Sequence, residues 1–223
     1  MWQLYQYPLC PFSRKVRFAL AEKGVPHELV RELPWDRRDE FIDLNPAGQT
    51  PVLVAPNGGA TLIDSSAICE YLEETVPAPP LLPQGPDARY EVRRLCAWFD
   101  GKFHAEVTAR LMGERVFKKL RGGGVPDSQA IKGGARDIKY HLGYMTFLLE
   151  TRRWLAGNDM TLADFAAAAQ LSCLDYVSDV PWDKYEAVKD WYAKIKSRPA
   201  FRSLLADHVP GFRPAPHYAD LDF

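Results

Sequence analysis

Cysteine is scarce in this chain: four in 223 residues, Cys10, Cys69, Cys96 and Cys173, with no CxxC pair and no grouping at metal-ligand spacing. That pattern argues against a disulfide framework and against a zinc site, and it suits a reducing compartment. An excess of charge is missing as well. Lys+Arg at 28 against Asp+Glu at 29 leave a formal net charge of -1, so no global field draws the chain to nucleic acid or to an acidic membrane. The longest basic runs, Arg14-Lys15 with Arg17 and Lys118-Lys119 with Arg121, are short and fall in helical stretches, where solvated faces are the expectation. There is no run of about 18 apolar residues, and the opening Met-Trp-Gln-Leu-Tyr-Gln-Tyr is not a basic leader followed by an apolar stretch. The expectation is a cytoplasmic protein that neither binds nucleic acid nor inserts into a membrane. Internal repeats and low-complexity segments are absent too.

What is present divides into two halves. Residues 2–7 alternate and are rich in aromatics, which suits a strand, and a helix over 12–23 follows, stopped by Gly24. Residues 27–31 and 51–55 read as further strands, with a short helix over 36–44 between them. Asn57-Gly58-Gly59 makes a turn into a strand over 61–63, and Asp64-Ser65-Ser66 caps a helix reaching about 74. The order β-α-β-α-β-β-α is that of a thioredoxin fold, giving an α/β first domain over 1–77. Five prolines between 77 and 86 mark a stiff linker, placed at 78–88. Beyond it only helical periodicity recurs, so residues 89–207 form an all-α domain. The tail over 208–223 has three prolines, a glycine and no helical period, and is expected to be extended.

Three places are suited to chemistry. Cys10-Pro11-Phe12-Ser13 sits where a strand gives way to a helix, so backbone N–H groups and the positive end of the helix dipole would favour a thiolate at Cys10. The alternative is a half-buried small residue at a helix start, with Ser13 as an internal capper. Thr50-Pro51 leads straight into a strand, where a cis bond would present the backbone of residue 50 to an extended peptide and a trans bond would make a plain turn. Asp64-Ser65-Ser66 opens a helix and offers either a seat for a carboxylate or simple N-capping by Asp64. Thr161-Leu162-Ala163-Asp164, by contrast, reads as structure alone: Thr161 at N-cap, Asp164 at N3, and Met160 packing on Phe165.

Together these signals resemble the glutathione transferase superfamily over residues 2–207. The resemblance rests on Cys10-Pro11-Phe12-Ser13 with Arg14-Lys15-Val16-Arg17, on 45–53 (Asn-Pro-Ala-Gly-Gln-Thr-Pro-Val-Leu), on Asp64-Ser65-Ser66-Ala67-Ile68 and on Thr161-Leu162-Ala163-Asp164-Phe165. It implies a thioredoxin-like N-terminal domain and an all-α C-terminal domain, with Cys10, or Ser13, as catalytic residue if the chain is an enzyme. It also implies glutathione as the ligand: Gln49 near its glycyl carboxylate, Thr50 before Pro51 pairing with its cysteinyl part, and Asp64 and Ser65 at its γ-glutamyl end. Where the superfamily usually has Glu-Ser or Gln-Ser, this chain has Asp64-Ser65, one methylene shorter.

The helical half further resembles one branch of that superfamily, cell-division proteins that bind the tubulin-like polymer FtsZ. Ala97-Trp98-Phe99-Asp100, 152–157 (Arg-Arg-Trp-Leu-Ala-Gly), Leu174-Asp175-Tyr176, 188–199 and the closing 216–223 carry this likeness. It implies a homodimer that engages FtsZ at the division site, with little transferase chemistry and a glutathione site that is vestigial. Within the tail, Tyr218, Asp220 and Phe223 are the candidate partner-binding residues, presented as a docking peptide; the alternative is that its aromatics fold back on the helical domain.

Overall fold

The computed structural model describes residues 1–221; the partner candidate Phe223 lies outside them. The chain forms two compact units, Met1–Pro80 and the remainder from Leu81.

In the first unit β1 (Trp2–Gln6) leads into α1 (Pro11–Glu22), β2 (His27–Arg31), α2 (Asp39–Leu44), β3 (Val52–Val54), β4 (Thr61–Ile63) and α3 (Ser65–Thr75). The sheet order is β2-β1-β3-β4, with β1 parallel to β2 and antiparallel to β3. Pro11 occupies the first turn of α1, where its missing N–H costs nothing. Gly24 at φ 64 ends that helix in the left-handed region open to glycine. The helix expected over 36–44 is broken: a single 3-10 turn, Pro34–Asp36, is separated from α2 by Arg37 at φ 47. Lys23, nearly buried, ties the end of α1 to the end of α3, donating to Val76 O at 2.7 Å and Pro79 O at 2.9 Å and pairing with Glu73 Oε1 at 2.6 Å.

The expectation of solvated basic faces fails for α1. Arg14, Lys15 and Arg17 are buried. Arg14 Nε donates to Pro8 O and Lys15 Nζ to Ser66 Oγ at 3.2 Å; long side chains can bury their stems while their ends reach polar atoms one element away.

The second unit opens with α4 (Pro86–Ala97), whose first residue is again a proline, so helix begins inside the stretch read as linker. Helical backbone then continues through a π-wound stretch Trp98–Thr108, α5 (Ala109–Met112), a second π-wound stretch Gly113–Phe117 and α6 (Lys118–Leu120). The i→i+5 winding shows in Ala109 N–H donating to His104 O and Lys118 N–H to Gly113 O. α7 (Ser128–Leu149), α8 (Leu162–Tyr176), α9 (Glu186–Lys196) and α10 (Pro199–Leu205) complete it.

α8 is buried along its whole length, and its start is built around one carboxylate. Thr161 caps the helix, and Asp164 at N3 returns the bond: its Oδ2 accepts from Thr161 N at 2.9 Å, closing the capping box expected from sequence. Asp164 Oδ1 also accepts from Leu155 N at 3.0 Å and Trp191 Nε1 at 2.9 Å. Burial pushes its carboxyl up to about 6, against the opposing pull of these hydrogen bonds.

Residues 208–221 contain no helix or strand but are not the extended tail expected. They turn back through a bridge between Val209 and Phe212 and pack on the helices of their own unit. The reason is a set of polar anchors on distant helices, described below.

Two outcomes follow from the start of α8. Thr161→Ala removes a cap worth about 0.5–2 kcal/mol, so thermal unfolding should show a lower Tm. Asp164 has a folded-state value above its unfolded 3.8, so its stabilising contribution is complete below about 3.8 and lost as pH rises through about 6. Urea titrations of the parent and Asp164→Asn at pH 7 and pH 5 should therefore show the stability gap between them widening at pH 5, by about 1 kcal/mol; a pH-independent gap would contradict this assignment.

Candidate functional site

The first unit gathers the site residues read from sequence at the start of α1, the loop before β3 and the start of α3. Cys10 is the N-cap of α1 and partly accessible; its Sγ accepts from Ser13 N at 3.5 Å. The thiol also lies 3.6 Å from Thr50 O, so two elements 40 residues apart in sequence meet at this sulfur. Ser13 is buried, and its Oγ has no hydrogen-bond partner among the described residues. A buried hydroxyl left in that state carries a desolvation cost.

The loop that delivers Thr50 is shaped by Asn45. Its Nδ2 donates to Gln49 O at 2.8 Å and its Oδ1 accepts from Ala47 N at 3.1 Å. Gly48 takes φ 62 in this turn, and a Cβ there would stand 3.0 Å from Ile42 Cδ1. The Thr50–Pro51 bond is cis, one of the two alternatives open from sequence. Thr50 and Pro51 are buried, whereas Gln49 is exposed.

At α3, Asp64 takes φ 71 and ψ 126, outside the regions a side chain prefers. Such strain costs about 1–3 kcal/mol and is found at ligand clamps. Its Oδ1 accepts from Ser66 N at 2.8 Å and Ala67 N at 3.0 Å, so the capping geometry is present and is carried by one oxygen. Ser65 is buried at the first position of the helix. Lys15 reaches this helix start through Ser66 Oγ. Sequence reading placed Lys15 on a solvated face; its actual destination, 51 residues on, leaves no local signal.

A thiol at a helix start, a peptide-presenting loop, and a second helix start with a cation beside it fit a γ-glutamyl-cysteinyl peptide. Cys10 and Thr50 meet at the Cys10 sulfur, and Lys15 meets the start of α3 through Ser66. Among the described residues no cluster of His, Cys, Asp or Glu could hold a metal ion, and no helix is long and apolar enough to cross a membrane.

The tail candidates lie in the second unit. Tyr218 is fully buried: its OH donates to Leu204 O at 3.1 Å and its ring meets Tyr176 edge-on at 5.1 Å between centroids. Its ring is spent inside its own unit, because a tyrosine with both its ring and its hydroxyl satisfied has nothing left to offer a partner. Tyr176 OH accepts from Val209 N and donates to Phe212 O. Asp220 is exposed. Sequence reading missed Lys196, which lies on the buried face of α9 with Val188, Trp191, Tyr192 and Ile195; a lysine on the apolar stripe of an amphipathic helix was the available signal.

Residues 9–75 match the family model for the glutathione S-transferase N-terminal domain, and residues 129–199 match that for the C-terminal domain. Over 222 residues, 99% of this chain and 97% of the relative, the sequence is 50% identical to FtsZ-localized protein A of Caulobacter vibrioides. The solved structure of FzlA from C. crescentus superposes with a TM-score of 0.97 at 48% identity, covering 100% of this chain and 99% of that one. A glutathione S-transferase from Methylobacillus flagellatus, solved with glutathione bound, matches with a TM-score of 0.76 at 31% identity over 92% of this chain and 98% of that one. From fold, site geometry and likeness together, the chain belongs to the glutathione S-transferase family.

Proposed function

We propose that this protein is a glutathione-transferase-fold regulator of bacterial cell division that binds FtsZ polymers as a homodimer in the cytoplasm, at the division site. The observation that carries the reading is identity of 50% over 99% of the chain with a protein named for its localisation with FtsZ. Two identical protomers would engage two polymer subunits and gain avidity from modest contacts.

The second unit has a surface suited to a second copy. On α4 and the stretch after it Tyr90, Arg94 and Trp98 succeed one another at four-residue spacing, and on α7 Tyr140, Tyr144 and Phe147 follow at spacings of four and three. Tyr90, Tyr140 and Phe147 are 65%, 63% and 64% exposed. Trp98 and Tyr144 lie 4.7 Å apart between centroids, and Arg94 Nη1 donates to Tyr144 OH at 2.9 Å, so the two rows join into one aromatic face. Isolated exposed aromatics are ordinary, but a contiguous set of this kind supports an interface.

Tyr218 serves as the anchor of the tail, and the partner contacts fall to Asp220 and to Phe223 beyond it. The glutathione site is retained in outline. When bound, glutathione would supply a thiol; Cys10 and Ser13 would hold its sulfur, and Gln49, Thr50, Pro51, Asp64 and Ser65 its peptide. A second reading, a glutathione-dependent transferase or thiol transferase using Cys10, is favoured by the Ser13 N–H donated to Cys10 Sγ.

Two experiments separate these readings. Cys10→Ala should co-sediment with polymerised FtsZ as the parent does, and loss of binding by a folded, dimeric variant would count against the scaffold; calorimetric titration with glutathione alongside it reports the enzyme reading. Removing residues 219–223 should leave fold and dimer intact while weakening co-sedimentation, and normal binding would move the partner surface elsewhere.

A further inference from the structure

The tail is held to its unit by charged groups taken wholly out of water. Asp175 on α8 and Lys196 on α9 are both fully buried, with Lys196 Nζ 3.9 Å from Asp175 Oδ2. Asp175 Oδ1 accepts from Trp182 Nε1 at 2.8 Å and lies 2.9 Å from His217 Nε2. Lys196 Nζ donates to His217 O at 3.1 Å. Burial works against both charges, pushing the Asp175 carboxyl up and the Lys196 ammonium down, while Trp182, Lys196 and His217 favour the carboxylate and Asp175 and Asp220 favour the ammonium.

An apolar pair of similar size would hold two helices together as firmly, because the desolvation of buried ions offsets their attraction. Charge adds a requirement that apolar contacts lack. Both groups meet the tail at His217, whose imidazole meets Asp175 and whose carbonyl meets Lys196, and Lys196 is favoured by Asp220 as well. A tail displaced by even one residue loses both contacts together. The neighbouring anchors are less demanding, since the Tyr176–Tyr218 packing tolerates sliding more readily than paired hydrogen bonds do.

We propose that the Asp175–Lys196 pair is a latch that fixes the register of residues 209–220 on the helical unit, with Lys196 as the positioning residue for the terminal segment. The effect on partner binding rests on the reading that this segment contacts FtsZ. Opening the latch frees the strap without unfolding the helices beneath it, because α8 keeps its capping box and its contact to Trp191.

The test is hydrogen exchange on the full-length protein and on two variants, Lys196→Met and the double variant Asp175→Asn with Lys196→Met, beside FtsZ co-sedimentation. The double variant guards against the uncompensated buried carboxylate that the single change leaves behind. Ala215 N donates to Tyr176 O and Tyr218 N to Ala215 O, so these amides report the strap. In both variants they should exchange about tenfold faster or more, with protection within α8 and α9 unchanged. If strap and helix amides accelerate together, or if neither does in the double variant, the pair is ordinary core and the latch is overturned. Selective loosening with undiminished co-sedimentation sustains the latch and rejects the tail as the polymer contact.

Discussion

The helical unit depends on one buried carboxylate. Asp164 joins the start of α8 to the segment before it through Leu155 and to α9 through the Trp191 indole, besides closing the cap with Thr161. Helix starts leave backbone donors without partners, and a start inside a core cannot turn to water for them. A side chain able to accept several hydrogen bonds at once resolves this, at the cost of burying a titratable group. α8 is buried from end to end, so the helices around it are placed against a helix whose position this carboxylate sets.

The elements that sequence made legible are those whose causes are local. The capping box is written in four consecutive residues, and the strand-to-helix turn at Cys10-Pro11 in two. Both are present where the sequence places them. The tail is the counterexample. Its prolines and its lack of helical period argue correctly against regular structure, but not for extension, because what folds it back is contributed by Tyr176 and Asp175, some 36 and 42 residues away. Arg14 and Lys15 fail in the same manner: a charged pair on a helix is assigned to solvent unless its partners, here Pro8 O and Ser66 Oγ, are known.

At the candidate site the positions of the residues in the fold were legible, and their bonding less so. Cys10, Asp64 and Ser65 lie at helix starts, Ser13 in the first turn of α1 and Thr50 just before β3. The division of labour at Asp64, with one oxygen engaged by two backbone donors, follows from its backbone conformation rather than from residue type.

The π-wound stretch Trp98–Thr108 has a consequence for how this chain tolerates change in length. A wider helical turn accommodates an extra residue without interrupting the rod. Loss of a single residue there would close a wide turn to α-helix, with its 3.6 residues per turn, and leave later side chains near their present faces, whereas the same loss from the α-wound α4 would swing every later side chain about 100° around the axis. After the deletion in α4, Arg110, now paired with Asp137, and Arg115, now paired with Asp179, would face other neighbours. The wide turns can therefore absorb a one-codon deletion that, placed in α4, would rotate the rest of the rod out of phase.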